Sequence, residues 1–290
     1  MFFRNILASF FRGIFRTSIF AKHFYGVHNK LIQPYRLFSG VNKSITYRTN
    51  ILFDLDIDDW IQQHLYFLGE YEEKEIRFLI SVLEPGDVFI DLGANIGLFS
   101  LVASSIITDA GKVYAFEPYS ENFVRLKHHL QLNKCTNVIT EQSAVSDHAG
   151  TIDLKGDISS SNKGMISQYN KTFTFSETVP CLALDKYYND IIKTSVKCIK
   201  LDIEGGELNA IRGMAGILQM HNNPILLMEV NDEILKMAGS SAVDLERELA
   251  LFNYSKYYLD KDGRLISSKM DDDHSFNCVF VPSGYGSNRL

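Results

Sequence analysis

Two periods of apolar spacing take turns along this chain, one suited to strands and one to helices. The run VFIDL at 88–92 is β-branched and aromatic and predicts a buried parallel strand. Behind it Ile96, Phe99, Ser100, Ala103 and Ile107 recur at helical spacing. The succession then repeats: a strand at 112–116, a helix carried by Phe123, Leu126 and Leu130, and a third strand at 138–141. Ahead of this block Ile76, Leu79, Ile80 and Leu83 predict a helix over 72–83, closed by Pro85 and Gly86. Beyond it, strands are predicted at 199–202 and 224–229 and a helix at 243–252. Residues 254–259 and 276–281 then read as paired antiparallel strands that turn after Asp260–Gly263. Alternation of this kind predicts an α/β, doubly wound fold around a mostly parallel sheet, with an antiparallel C-terminal edge hairpin.

Outside that block the pattern is different. Phe3, Ile6, Leu7, Phe10, Phe11 and Ile14 are predicted to share one helical face, with Arg12 and Arg16 on the other. A short strand follows at 51–57, while 58–68 around Trp60 fits a helix or a strand-helix mixture. We therefore divide the chain into an N-terminal extension, residues 1–50, and a domain, residues 51–290. Strand-like runs at 151–154 and 178–181 bound a polar stretch that includes Ser159, Asn162 and Gly164. Loops of this size are often lids, so 159–171 reads as a cover over a site or as a plain surface excursion.

Composition narrows the class without naming a reaction. With 290 residues, 46% of them hydrophobic and 22% charged, the chain can build one sizeable α/β domain with an appendage. No apolar run reaches the roughly 18 residues of a membrane span. Cys135, Cys181, Cys198 and Cys278 are far apart with no C-x-x-C pair, so neither a zinc site nor a disulfide framework is expected. Reduced thiols in a cytoplasmic protein are the expectation.

Charge changes the reading of the extension. The net charge is −6, yet Arg4, Arg12, Arg16, Lys22, Lys30, Arg36, Lys43 and Arg48 all precede Asp54, the first acid. A basic amphipathic segment at 1–20 admits three roles: packing on the domain or a homodimer contact, peripheral contact with the inner face of a membrane, or an organellar presequence. Arginines interrupt the apolar stretch, which argues against a secretory signal. The acidic domain carries no nucleic-acid motif, so no nucleic-acid partner is expected.

Candidate chemistry centres on the turn between the first strand and its helix. Gly93 and Gly97 lack a Cβ, so one can take positive φ and the other can let the chain pass close to a ligand. Asn95 tolerates the left-handed region or offers its amide. A dinucleotide fingerprint needs G-x-G-x-x-G to seat a pyrophosphate, and here Asn95 and Leu98 replace its second and third glycines. That spacing favours an S-adenosylmethionine (SAM) site over a dinucleotide site, with a ligand-free βα turn as the bland alternative. Glu117, roughly 20 to 25 residues beyond the turn, ends the second strand where a carboxylate can accept both ribose hydroxyls, and Pro118 closes the strand.

Three blocks, DLGANIG at 91–97, AFEP at 115–118 and IKLDIEGGE at 199–207, resemble in order the signature of the FkbM family of SAM-dependent methyltransferases. The resemblance spans roughly residues 70–230. It implies the Rossmann-like class I methyltransferase fold, a seven-stranded sheet with one antiparallel edge strand. It further implies methyl transfer to a hydroxyl of a sugar, glycan precursor or small natural product. On this reading Asp91, Gly93, Ala94, Asn95, Gly97, Glu117 and Pro118 bind the cofactor. By the fold alone Gln142, Ser143 and Ala144 approach the adenine, and the segment at 69–72 resembles one that nears the cofactor.

The catalytic candidates lie at 199–207, where a buried strand delivers Asp202 to the sheet's carboxyl edge. Displacement at a sulfonium methyl needs alignment and removal of the hydroxyl proton. Asp202 can face cofactor or acceptor, and Glu204 or Glu207 can act as base. An acid in a first helical turn such as Glu207 is also explained by the helix dipole alone. Glu229 should fall beside Asp202, and two such acids permit Mg²⁺ without requiring it. No metal ligand set is assigned, and the acidic run at 271–274 reads as solvated. A NAD-type oxidoreductase and a SAM-binding protein without transfer activity remain the alternatives.

Overall fold

Strands buried on both faces read as continuous apolar runs because helices cover each side of the sheet, and the predicted parallel strands form here for that reason. The computed structural model describes residues 2–157, 166–220, 223–270, 273 and 275–283. The chain divides into two units, Met1–Glu73 and Lys74–Asp157 with Ile166–Leu290.

The first unit holds α1 (Phe2–Phe15), α2 (Ser18–Ala21), α3 (Phe24–Val27), the antiparallel pair β1 (Asn42–Tyr47) and β2 (Ile51–Asp56), and α4 (Trp60–Gln63). The stretch after the second strand, ambiguous in sequence, is helical because Asp59 caps it by accepting the Gln62 N–H at 3.1 Å. A π-type turn at His64–Leu68 continues it. Phe15, Phe24, Phe38 and Phe67 form an aromatic core with ring centroids 5.1–6.2 Å apart. That core decides which side of α1 is buried: Ala8 and Phe15 pack inward and Phe11 meets Phe38. Of the apolar face expected from Phe3 to Ile14, Phe3, Ile6 and Phe10 stay exposed while Leu7, Phe11 and Ile14 are half-buried. The expected division between residues 50 and 51 falls at the β1–β2 turn, inside this unit.

In the second unit come α5 (Glu73–Val82, begun at the junction), β3 (Val88–Leu92), α6 (Leu98–Ile107), β4 (Lys112–Phe116), α7 (Ser120–Leu132) and β5 (Val138–Glu141). Next are β6 (Ala144–Ser146), β7 (Gly150–Gly156), β8 (Phe175–Ala183), α8 (Leu184–Tyr187), β9 (Cys198–Leu201), α9 (Glu207–Arg212) and α10 (Ala215–Leu218). The chain finishes with β10 (Ile225–Glu229), α11 (Asp232–Met237), α12 (Ala242–Ala250), β11 (Tyr254–Leu259), β12 (Leu265–Ile266) and β13 (Asn277–Pro282).

The main sheet runs β12-β11-β13-β10-β9-β3-β4-β5. The five strands from β10 to β5 are mutually parallel, and β13 enters antiparallel between β10 and β11. This is the class I methyltransferase order, with eight strands rather than the expected seven. The addition is β12, which returns from the Asp260–Gly263 turn and pairs Leu265 with Leu259. The strand-like runs at 151–154 and 178–181 fall in β7 and β8, which pair antiparallel on either side of the polar excursion and, with β6, form a separate three-stranded sheet in the order β6-β8-β7.

Candidate active site

Because β3 lies between β4 and β9, the chain changes direction across the sheet there. Ligands of open α/β sheets bind at the carboxyl ends of strands at such a switch point. Leu92 pairs with Phe116 on one side and Leu201 on the other, so Gly93, Glu117 and Asp202 are the first residues beyond three adjacent strands. Glu229 ends β10 one strand further on, where Met228 pairs with Leu201.

The turn after β3 is drawn tight by its own backbone. Gly93 and Ala94 both donate N–H to the Phe116 carbonyl at 2.9 Å. Gly93 has φ +79°, and a Cβ placed there would lie 1.9 Å from the Asp202 carbonyl oxygen. Only glycine fits, and the turn thereby touches the end of β9. Asn95 takes φ +50° and donates its N–H to Glu117 Oε2 at 2.7 Å, while its own Oδ1 accepts from Ile96. Its side-chain oxygen is thus spent on the turn. Gly97 has φ +94° and opens α6 against Leu126, where a Cβ would lie 2.6 Å from a methyl.

Two acids lie beneath this turn. Asp91 is fully buried on β3 and accepts from Ser100 Oγ at 2.6 Å through Oδ2, but its Oδ1 has no hydrogen-bond partner. Burial pushes its carboxyl above the usual range, with the Lys200 ammonium opposing. Glu117, 5% exposed, accepts from Asn95 N–H and, through Oε1, from Tyr119 N–H at 2.9 Å just past the half-exposed Pro118. Desolvation raises its carboxyl to about 7 against those two hydrogen bonds. An orphaned buried oxygen is costly unless something else satisfies it. These residues fit SAM: Glu117 would hold the ribose, and Asp91 would place negative charge beside the cationic end of the cofactor.

At the adenine side the placement is mixed. Ser143 is buried, but its hydroxyl donates to the Ala144 and Pro180 carbonyls at 3.0 and 3.1 Å. It serves the backbone, leaving Gln142, which is exposed, and the buried Ala144 at the start of β6.

The other half of the site hangs from β9. Asp202 donates its N–H to the Leu92 carbonyl at 3.1 Å, and its Oδ2 lies 3.0 Å from Lys200 Nζ. Lys200 is 5% exposed, lies over the Phe99 ring and influences both Asp91 and Glu117. Sequence reasoning missed it, although a lysine inside a buried four-residue strand of otherwise apolar residues was the available signal. Glu204 at φ +53° and Gly205 at φ +99° then reverse the chain. Glu207 begins α9 and is 2% exposed; its Oε1 accepts from the Ile203 and Gly205 N–H groups at 3.1 and 3.3 Å. Burial raises its carboxyl to about 7. Glu207 therefore braces the turn that carries Glu204.

Asp202, Glu204 and Glu229 each bring one carboxylate oxygen to within 4.8 Å of the others. Hard oxygens so arranged suit a divalent cation such as Mg²⁺ or the hydroxyls of a polyol. Of the expected lid, 159–165 lie outside the described residues, but Ser167 Oγ donates to the Glu204 carbonyl at 2.6 Å and Tyr169 lies against Gly205. Of the acidic run, residues 271, 272 and 274 also lie outside the described residues. Asp273 pairs with Lys74 at 2.6 Å.

Comparison with known proteins agrees with the class this topology defines. Residues 91–256 match the methyltransferase FkbM domain, more than half of the chain, and the chain belongs to that family. Hexuronic acid methyltransferase AglP of Haloferax volcanii is 28% identical over 151 residues, 52% of this chain and 59% of its own length. The 31-O-demethyl-FK506 methyltransferase FkbM of Streptomyces tacrolimicus is 41% identical over 68 residues, 23% of this chain and 25% of its own. The chain thus spans less than two thirds of both relatives. Among solved structures, M. jannaschii TYW2 in complex with AdoMet is similar at 14% identity and a TM-score of 0.41, over 82% of this chain and 84% of that one. Aeropyrum pernix fibrillarin is similar at 14% and 0.40, over 70% and 72%. Neither structural likeness carries an argument about function.

Proposed function

We propose that this protein is a SAM-dependent O-methyltransferase whose acceptor is a hydroxyl of a sugar, glycan precursor or small polyhydroxylated natural product. One observation carries the reading: the donor turn and the acidic turn touch, Gly93 lying so close to the Asp202 carbonyl that no side chain fits between them. A ligand held by the first turn would then neighbour one held by the second. When bound, SAM supplies an electrophilic methyl on a sulfonium. Asp202, steadied by Lys200, would take the proton of the acceptor hydroxyl as that oxygen attacks. Glu204 and Glu229 accept hydrogen bonds from neighbouring hydroxyls, which favours a polyol over an isolated alcohol, and Glu207 keeps Glu204 in place. The hexuronic acid and the 31-O-demethyl-FK506 named for the two relatives support this acceptor class.

The test is turnover of SAM to S-adenosylhomocysteine with a panel of hexuronic acids, neutral hexoses and simple alcohols. Product with the polyols and none with the alcohols is expected. Turnover indifferent to the acceptor, or none with any hydroxyl compound despite tight SAM binding, would remove the acceptor assignment.

A further inference from the structure

The surface of α1 presents an unusual pair of stripes. Residues three and four apart share a helix face, so Ala8, Phe11 and Phe15 form one stripe and Phe3, Ile6 and Phe10 form another, set round the helix from the first. The first packs into the unit's aromatic core. The second is bare, with Phe3 74%, Ile6 53% and Phe10 62% exposed. The next helical turn, α2, adds Ile19 at 67% and Phe20 at 49%. One apolar stripe is enough to dock a helix on its own unit, and exposed aromatic residues in such number mark an interaction surface.

Charge states what that surface fits. The first 53 residues contain eight arginines and lysines and no carboxylate, although the chain as a whole is acidic. Arg4, Lys22 and Lys30 are exposed. A second copy would set these cations against their equivalents with no acid in the segment to pair them. A negatively charged surface with an apolar layer behind it satisfies both features at once. The 14-residue α1 reaches about 21 Å, shorter than the roughly 30 Å hydrocarbon layer. No helix among the described residues is long and apolar enough to cross a membrane.

We propose that α1 and α2 lie in the interface of a bilayer containing anionic lipid, with Phe3, Ile6, Phe10, Ile19 and Phe20 at the acyl boundary and the segment's cations drawn to lipid phosphates. The proposal is independent of the reaction the second unit performs.

Flotation of the full chain with lipid vesicles tests it. Binding is expected to vesicles in which about a third of the lipid is phosphatidylglycerol, and to be much weaker with phosphatidylcholine alone or at high salt. The double variant Phe3→Glu, Phe10→Glu is expected to lose at least about tenfold in partitioning. Because both side chains are exposed, its melting temperature should match the parent chain. Lys22→Glu with Lys30→Glu, which leaves the apolar stripe intact, should weaken binding by about tenfold as well, and decides the matter if the first variant misfolds. Equal binding to neutral and anionic vesicles, or no binding to either, overturns the proposal. So does a dimer in sedimentation that Phe10→Glu converts to monomer without any vesicle binding in the parent.

Discussion

The two halves of the candidate active site use acids in opposite ways. Beneath the turn after β3, Asp91 and Glu117 are buried and gripped by neighbouring groups, Ser100 for one and the Asn95 and Tyr119 backbone for the other. Around the turn after β9, Asp202, Glu204 and Glu229 are half-exposed and gather their oxygens within 4.8 Å. The first half is preorganised at the expense of charge burial, which suits a ligand that never changes. The second keeps its carboxylates near solvent and shapes them through Glu207 and Lys200, which suits an acceptor that must enter, lose a proton and leave. In the proposed function, the fixed acids bind and the accessible acids react.

The largest effect should come from the accessible half. Asp202→Asn is expected to lower turnover by about 10²- to 10⁴-fold while calorimetry finds SAM affinity within about threefold of the parent. A loss of SAM binding as large as the loss of turnover would erase the distinction between the halves.

Next in size is the donor side. Glu117→Ala removes the proposed ribose acceptor, and hydrogen bonds to charged groups are worth about 1.5–3 kcal/mol, so the SAM dissociation constant should rise about 10- to 100-fold. Turnover at saturating SAM should fall far less. The opposite split in kcat and KM would reassign Glu117 to the chemistry.

The buried acids also make a statement about pH. Desolvation raises Glu117 from 4.5 to about 7 in the folded chain. An acid whose folded value is raised contributes stability that is fully present below its unfolded value and is lost as pH rises through the folded one. The cofactor-free protein should therefore lose stability between about pH 4.5 and pH 7. Glu117→Gln, which mimics the protonated acid, should melt a few degrees above the parent at pH 8, an effect on the order of 1–3 kcal/mol. The two should coincide at pH 4. A parallel pair of profiles would show that Glu117 is not penalised by burial.

The smallest effect concerns metal. Lys200 already places a cation 3.0 Å from Asp202, so exhaustive chelation is expected to leave turnover within about twofold, even though the three acids offer a hard donor set. Loss of activity on chelation, restored by Mg²⁺, would turn the accessible half into a metal centre.

Much of this arrangement was legible in the sequence, and the reasons differ by residue. The β3 turn declares itself because Gly93, Asn95 and Gly97 take conformations that few residues tolerate, all with positive φ. Glu117, Asp202 and Glu229 were legible because parallel strands end at one edge. Residues whose role depends on direction were not. Ser143 sits where expected, yet its hydroxyl turns to the Pro180 carbonyl. Glu207 was a candidate base, yet its carboxylate folds back on the loop that precedes it. Lys200 was hidden inside a strand whose neighbours announce only burial. For the N-terminal helix the periodicity identified the apolar positions, and the aromatic core formed with Phe24, Phe38 and Phe67 selected which of them to bury.

The turn at 93–97, with Asp91 and Glu117, is proposed to be a SAM site and not a dinucleotide site. Isothermal titration of the full chain with SAM, S-adenosylhomocysteine and NAD tests this most directly. Saturable binding of both sulfur ligands, weakened in Glu117→Ala, with no heat from NAD is the result expected. Binding of NAD with no response to SAM or S-adenosylhomocysteine would contradict it.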